Sequence, residues 1–217
     1  MEIIDIEIAV KRLNHQLPLK LRQDRLSTEL KAAHQSVLLS LVNNGRPPTI
    51  DELEVFLGDS YGDSLQTLAA DDLVVLNGEG TQPVGAYPVT SEITPHKITV
   101  NGKVIYAMCA LDAVSVGPMF DVSVTIESRC HVSQTPITIC MQGSELLETQ
   151  PASDIIIGVR WQMPSAVAAH SMCLEMVFFS DRQSSQSWKD ADNNNISLFT
   201  LTEAVEFGKA FFLPLLK

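Results

Sequence analysis

The spacing of apolar residues changes near the middle of the chain. Residues 5–17 carry Ile6, Ala9, Val10, Leu13 and Leu17 at helical intervals, and Pro18 ends the pattern. Ser27 or Thr28 caps a second predicted helix with Leu30, Ala33, Val37, Leu38 and Leu41 on one face. Asn43-Asn44-Gly45 stops it, and Pro47-Pro48 forbids its continuation. Thr49-Ile50-Asp51-Glu52 is a capping box opening a short helix to about Leu57. A further helix is expected from about Tyr61 to Ala70, and LVVLNGEG reads as a strand entering a turn. Short helices followed by a strand and a Gly-rich hairpin resemble a winged helix-turn-helix.

Near residue 80 the pattern becomes β-like. GEGTQPVGAYPVT reads as a linker or loop. KITVNGKVIYAM holds two extended runs around Asn101-Gly102, a two-residue hairpin signal. VSVTIES and TPITICM alternate as strands do, SDIIIGVRW reads as a buried strand, and SMCLEMVFFS and NNNISLFTL are further strand candidates. LTEAVEFGKAFFLPLL reads as a closing helix with Thr202 as its cap. The expected fold class is α+β. Residues 1–80 form an N-terminal three-helix, winged-helix-like unit, and residues 81–217 a mainly antiparallel β core with a C-terminal helix.

Composition narrows the function. Hydrophobic residues make up 45% of the 217, enough for a sizeable core, with 19% charged. No run reaches the roughly 18 apolar residues of a membrane helix. The acidic start MEIIDIEIAVKRLNHQ is unlike a secretory signal. The expectation is a cytoplasmic protein with no membrane partner. A net charge of −11 disfavours nucleic acid as a partner, and SYGDSLQTLAADD, where a recognition helix would lie, has no Lys or Arg. The four cysteines, Cys109, Cys130, Cys140 and Cys173, are not expected to pair in a reducing compartment. The bland expectation for each is a buried, inert thiol.

Tyr106-Ala107-Met108-Cys109-Ala110-Leu111-Asp112 is the informative segment. If a helix starts at the end of the preceding strand, Cys109 and Asp112 share one face. A carboxylate beside a thiol raises both pKa values, and such a site exchanges a proton between sulfur and oxygen. Asp112 as a simple helix cap is the competing reading. The segment resembles the active-site segment of the organomercurial (alkylmercury) lyases. Other stretches are similar to that family: Gly45-Arg46-Pro47, Gly117-Pro118, Glu127-Ser128-Arg129-Cys130, Cys173 ahead of Phe178-Phe179, Trp188, and Glu203 to Gly208. The similarity runs from about residue 30 to the end. Where family members often carry Trp, Phe and a further cysteine, this chain has Met108, Met172 and Leu174. These departures bear on the shape of the pocket, not on the reacting atoms.

The resemblance implies a lyase that cleaves carbon–mercury bonds by protonolysis, with Cys109, Asp112 and Cys173 as catalytic and mercury-holding residues. It implies an organomercurial substrate, no cofactor, and mercury(II) as bound product. A small thiol or a mercuric reductase would then collect the metal, as in mercury detoxification. The chemistry suits the residues, because mercury(II) is soft and thiolate is the softest protein ligand. The alternative is a non-catalytic soft-metal binder or a metal-sensing regulator on the same scaffold. Cys130 is expected to be structural and Cys140 a packed or half-exposed thiol. His15, His34, His96, His131 and His170 lack the spacing of a zinc site, and no nucleotide-binding or serine-hydrolase motif is present.

Overall fold

The computed structural model describes residues 5–191 and 195–217. Its N-terminal part contains α1 (Ile6–Gln16), α2 (Leu19–Gln23), α3 (Thr28–Asn44), α4 (Ile50–Leu57) and α5 (Tyr61–Ala70). Side-chain oxygens satisfy orphan N–H groups where the sequence offers them. Asp5 caps α1, Ser27 caps α3, and Thr49 with Glu52 makes both bonds of a capping box at α4. α3 ends on Gly45 at φ +70°, and a Cβ there would come within 2.9 Å of the Lys103 Cβ, so only glycine fits. α2 was not expected from the spacing; it resumes helical geometry directly after Pro18.

One antiparallel sheet has eight strands. They are β1 (Val75–Leu76), β2 (Pro83–Ala86), β3 (Val89–Thr90), β4 (His96–Val100), β5 (Lys103–Ala107), β6 (Ser123–Arg129), β7 (Pro136–Gln142) and β8 (Glu145–Gln150), in the order β1-β2-β3-β5-β4-β6-β7-β8. The β4–β5 hairpin turns on Asn101 and Gly102, both at positive φ as a tight two-residue turn requires. The stretch read as a linker, GEGTQPVGAYPVT, instead supplies β2 and β3. Its Gly and Pro residues lie within and between strands too short to show alternation. β1 precedes residue 80 and β2 follows it, and the two pair, so residues on both sides of that position share one sheet.

A second sheet places β9 (Ile156–Arg160) between β10 (Met176–Phe179) and β11 (Ile196–Thr200). SMCLEMVFFS is therefore a strand only in its second half, because Met172–Glu175 forms a 3₁₀ turn. Of NNNISLFTL, the first asparagines at 192–194 lie outside the described residues, and the rest is β11. α7 (Arg182–Asp190) follows β10. The closing helix, α8 (Leu201–Phe212), is capped by Thr200 rather than Thr202, through a full capping box with Glu203. No described helix is long and apolar enough to cross a membrane.

α6 (Ala110–Phe120) is the centre of the molecule. It packs on strands of the large sheet, on β10 and on α8, and ten of its residues are buried. A helix covered on every side needs apolar residues on every side, so ALDAVSVGPM carries no amphipathic period. α8 approaches it closely at Gly208, where a Cβ would collide with the Ser115 hydroxyl. That hydroxyl donates to the Leu111 carbonyl at 2.6 Å.

Candidate active site

Cys109 stands at the junction of β5 and α6. Its backbone is extended (φ −153°, ψ 177°), and its Sγ accepts a hydrogen bond from the Asp112 backbone N–H at 3.3 Å. Cys109 thus fills the cap position that was the competing role for Asp112. One Asp112 carboxylate oxygen, Oδ2, is buried without a hydrogen-bond partner. An unpartnered buried carboxylate oxygen is costly, and functional sites are where such groups persist.

Cys173 arrives from far along the chain, on the 3₁₀ turn Met172–Glu175 just before β10. The Cys109 and Cys173 sulfurs and an Asp112 oxygen all lie within 4.8 Å of one another, and all three residues are buried. Among the described residues they form the one group of three His, Cys, Asp or Glu side chains placed to hold a metal ion.

The electrostatics keep protons in this group. The Cys109 thiol is pushed well above its usual range, by burial first, then by the neighbouring Cys173 thiol and the Asp112 charge; the Asp112 N–H opposes the shift. Burial likewise pushes the Asp112 carboxyl up to about 8, outweighing its favourable contacts with Cys109. For Cys173 the bond with Cys109 lowers the pKa, but burial and the charges of Asp112 and Asp72 outweigh it.

Two residues that the sequence analysis did not single out anchor the turn bearing Cys173. Asp72, following α5, accepts from the Tyr87 hydroxyl at 2.9 Å and from the Ala168 N–H at 3.1 Å. The Tyr87 hydroxyl in turn accepts from the Ala169 N–H at 2.8 Å. All are buried. Desolvation raises the pKa of both Asp72 and Tyr87. The pair links α5, the β2–β3 connection and the Cys173 segment, three regions distant in sequence. No local spacing motif marks it.

A cavity of about 370 Å³ leads to the site, lined by Met108, Cys173, Leu174, Met176 and Phe178, with His96, Arg129 and His131 on its polar side. A second, of about 260 Å³, meets Met108 and Leu174 from the side of Ile93 and His170. Met108 and Leu174 therefore line both spaces, and Met172 is buried within the Cys173 turn. A cavity of about 310 Å³ beside Gln16, Arg22 and Asp72 touches none of the three triad residues.

The remaining candidates lie outside the triad. Cys130 is buried at the end of β6 and Cys140 is half-buried on β7. His96 packs on Phe178 and pairs with the Ser128 hydroxyl at 2.9 Å, and burial lowers its pKa to about 4. His131 packs edge-on against Phe179 and Trp188.

The chain is similar to known proteins over most of its length. The chain is 27% identical over 172 residues to an alkylmercury lyase of Bacillus cereus, covering 79% of this chain and 77% of that one. It is 25% identical over 172 residues to an alkylmercury lyase of Staphylococcus epidermidis, covering 79% and 78%. A crystal structure described as the mercury-bound form of MerB2 shares the fold, with a TM-score of 0.74 at 23% identity over 89% of this chain and 98% of that one. The family described as alkylmercury lyase matches residues 89–213, more than half of the sequence and all of the Cys109–Asp112–Cys173 cluster. The chain belongs to the alkylmercury lyase family.

Proposed function

We propose that this protein cleaves the carbon–mercury bond of organomercurials by protonolysis, with Cys109 and Cys173 taking the mercury and Asp112 moving the proton. The observation that carries the reading is the convergence of two thiols and one carboxyl within 4.8 Å, all buried. Thiolate is the ligand a soft ion prefers, and two of them hold it far better than one. Metal coordination displaces the thiol proton outright, so the raised thiol pKa values do not prevent binding.

The balance is simple. An organomercurial RHg–X and two cysteine thiols give R–H, mercury(II) bound by two thiolates, and HX. One thiol proton leaves with the displaced anion X⁻, and the other reaches the carbon through Asp112. A carboxyl raised to about 8 suits that task, since near neutral pH it both takes and returns a proton. Electron density from the two sulfurs builds on the carbon as the bond to mercury breaks. Burial excludes competing proton donors. The bound mercury then passes to a small thiol or a mercuric reductase in the cytoplasm, and no step calls on a cofactor.

A non-catalytic soft-metal binder is the second reading, and Asp112 weighs against it. A pure binder gains nothing from a buried carboxyl whose Oδ2 has no partner. The test is release of the hydrocarbon from an organomercurial by purified protein in excess thiol. Stoichiometric or catalytic release supports cleavage; tight mercury binding with no hydrocarbon would leave only the binder.

A further inference from the structure

We propose that Met176 supplies a third, neutral sulfur to the mercury site, a role that rests on the reading of Cys109 and Cys173 given above. Met176 opens β10, directly after the turn that carries Cys173. Its Sδ accepts from the Cys109 thiol at 3.7 Å, and both residues are buried. A methionine in a core is ordinarily a gap-filler. This one differs because its sulfur, not merely its volume, meets a reacting atom.

The order of residues along the cavity gives the contact a use. Cys173 and Met176 both line the large cavity, whereas Cys109 is fully buried behind them. A mercurial arriving through that space meets one thiol and one thioether before it reaches Cys109. Thioether is a soft donor, and it carries no proton that must first be removed. When Cys109 gives up its proton, the Sδ lone pair that accepted that hydrogen is left facing a thiolate. An ion bound to Cys109 on that side lies within reach of both sulfurs. A neutral third ligand adds no charge, so two thiolates still balance mercury(II) and the ion stays exchangeable.

The test is mercury-edge X-ray absorption on the purified full chain loaded with one equivalent of mercuric chloride. The wild type should show two short mercury–sulfur distances and one longer one. Met176→Leu keeps the volume and apolarity and should lose only the longer one. The variant should also release mercury to a competing small thiol on the order of tenfold faster, the lower end of what supporting ligands contribute. Two sulfurs in the wild type, or an unchanged coordination and release rate in the variant, would overturn the proposal. If the leucine variant does not fold, wild-type protein labelled with selenomethionine carries the test: a selenium neighbour of mercury is expected, and its absence overturns the proposal. Mercury bound with no cysteine sulfur at all would instead sink the two-thiolate reading on which this one rests.

Discussion

Two buried thiols in this molecule are held in opposite ways. Cys109 at the head of α6 and Cys130 at the end of β6 are each fully shielded from solvent. Burial pushes both toward the neutral thiol, yet Cys109 ends well above its ordinary pKa and Cys130 falls to about 7. The difference lies in how deep each sulfur sits, Cys109 in the core and Cys130 nearer the surface, and in the company it keeps. Around Cys130, side-chain and backbone groups of Ser133 and Ser180 favour the thiolate and together outweigh burial. Around Cys109 a single backbone N–H is outweighed by burial, by a second thiol and by a carboxyl. Burial alone therefore does not set a cysteine's state; the balance of donors and neighbouring charges does. The Cys109–Asp112–Cys173 group holds its protons, whereas the β6 turn favours losing one.

The largest effect should come from removing either sulfur of the triad. Cys109→Ser or Cys173→Ser should lower hydrocarbon release by at least ~10³-fold, because members of one catalytic unit fail together. Retained turnover in a single-serine variant would break the distinction between the two regions. Tyr87→Phe tests whether Cys173 must be held in place. It leaves the Ala169 N–H without its acceptor, which should cost about 1–3 kcal/mol of stability. It should also slow cleavage about tenfold to a hundredfold while mercury still binds, since small misplacements of a reacting group are expensive. Native kinetics in that variant would reduce the Asp72–Tyr87 pair to packing. The smallest effect is expected at Cys130. Cys130→Ser should cost about 1 kcal/mol of stability and leave cleavage essentially intact. It should also remove a thiolate absorbance change near pH 7, which the lowered Cys130 pKa predicts for the wild type. If Cys109→Ser removed that transition instead, the assignment of the two thiols would be reversed.

Much of this was legible in the sequence, for definable reasons. The capping box at Thr49, the Asn101-Gly102 turn and the Cys109–Asp112 spacing are local, and local chemistry is written in adjacent residues. The joining of Cys173 to Cys109 came through family resemblance, because no spacing rule brings a distant turn to a helix end. α7 was missed because RQSSQSWKD holds one large apolar residue, and β8 because ELLETQ presents mostly polar positions at a sheet edge. Asp72 and Tyr87 were missed for a deeper reason. Their value lies in hydrogen bonds to the backbone of a remote segment, and such bonds leave no pattern in either strand or helix periodicity.

The central claim is that Asp112 carries the proton to carbon, and Asp112→Asn tests it most directly. Asparagine keeps the shape and leaves both thiols, so mercury(II) should still bind. The sign of the stability change provides a control. The wild-type carboxyl is raised from 3.8 to about 8, so between those values it is protonated in the folded chain and ionised in the unfolded one. Its contribution to stability therefore falls as pH rises through that window, and the Asn variant should melt increasingly above the wild type across it. Single-turnover hydrocarbon release by the folded, mercury-competent Asn variant should drop ~10²–10⁴-fold, the usual worth of general acid–base catalysis. Release at the wild-type rate would contradict the account and take Asp112 out of the chemistry.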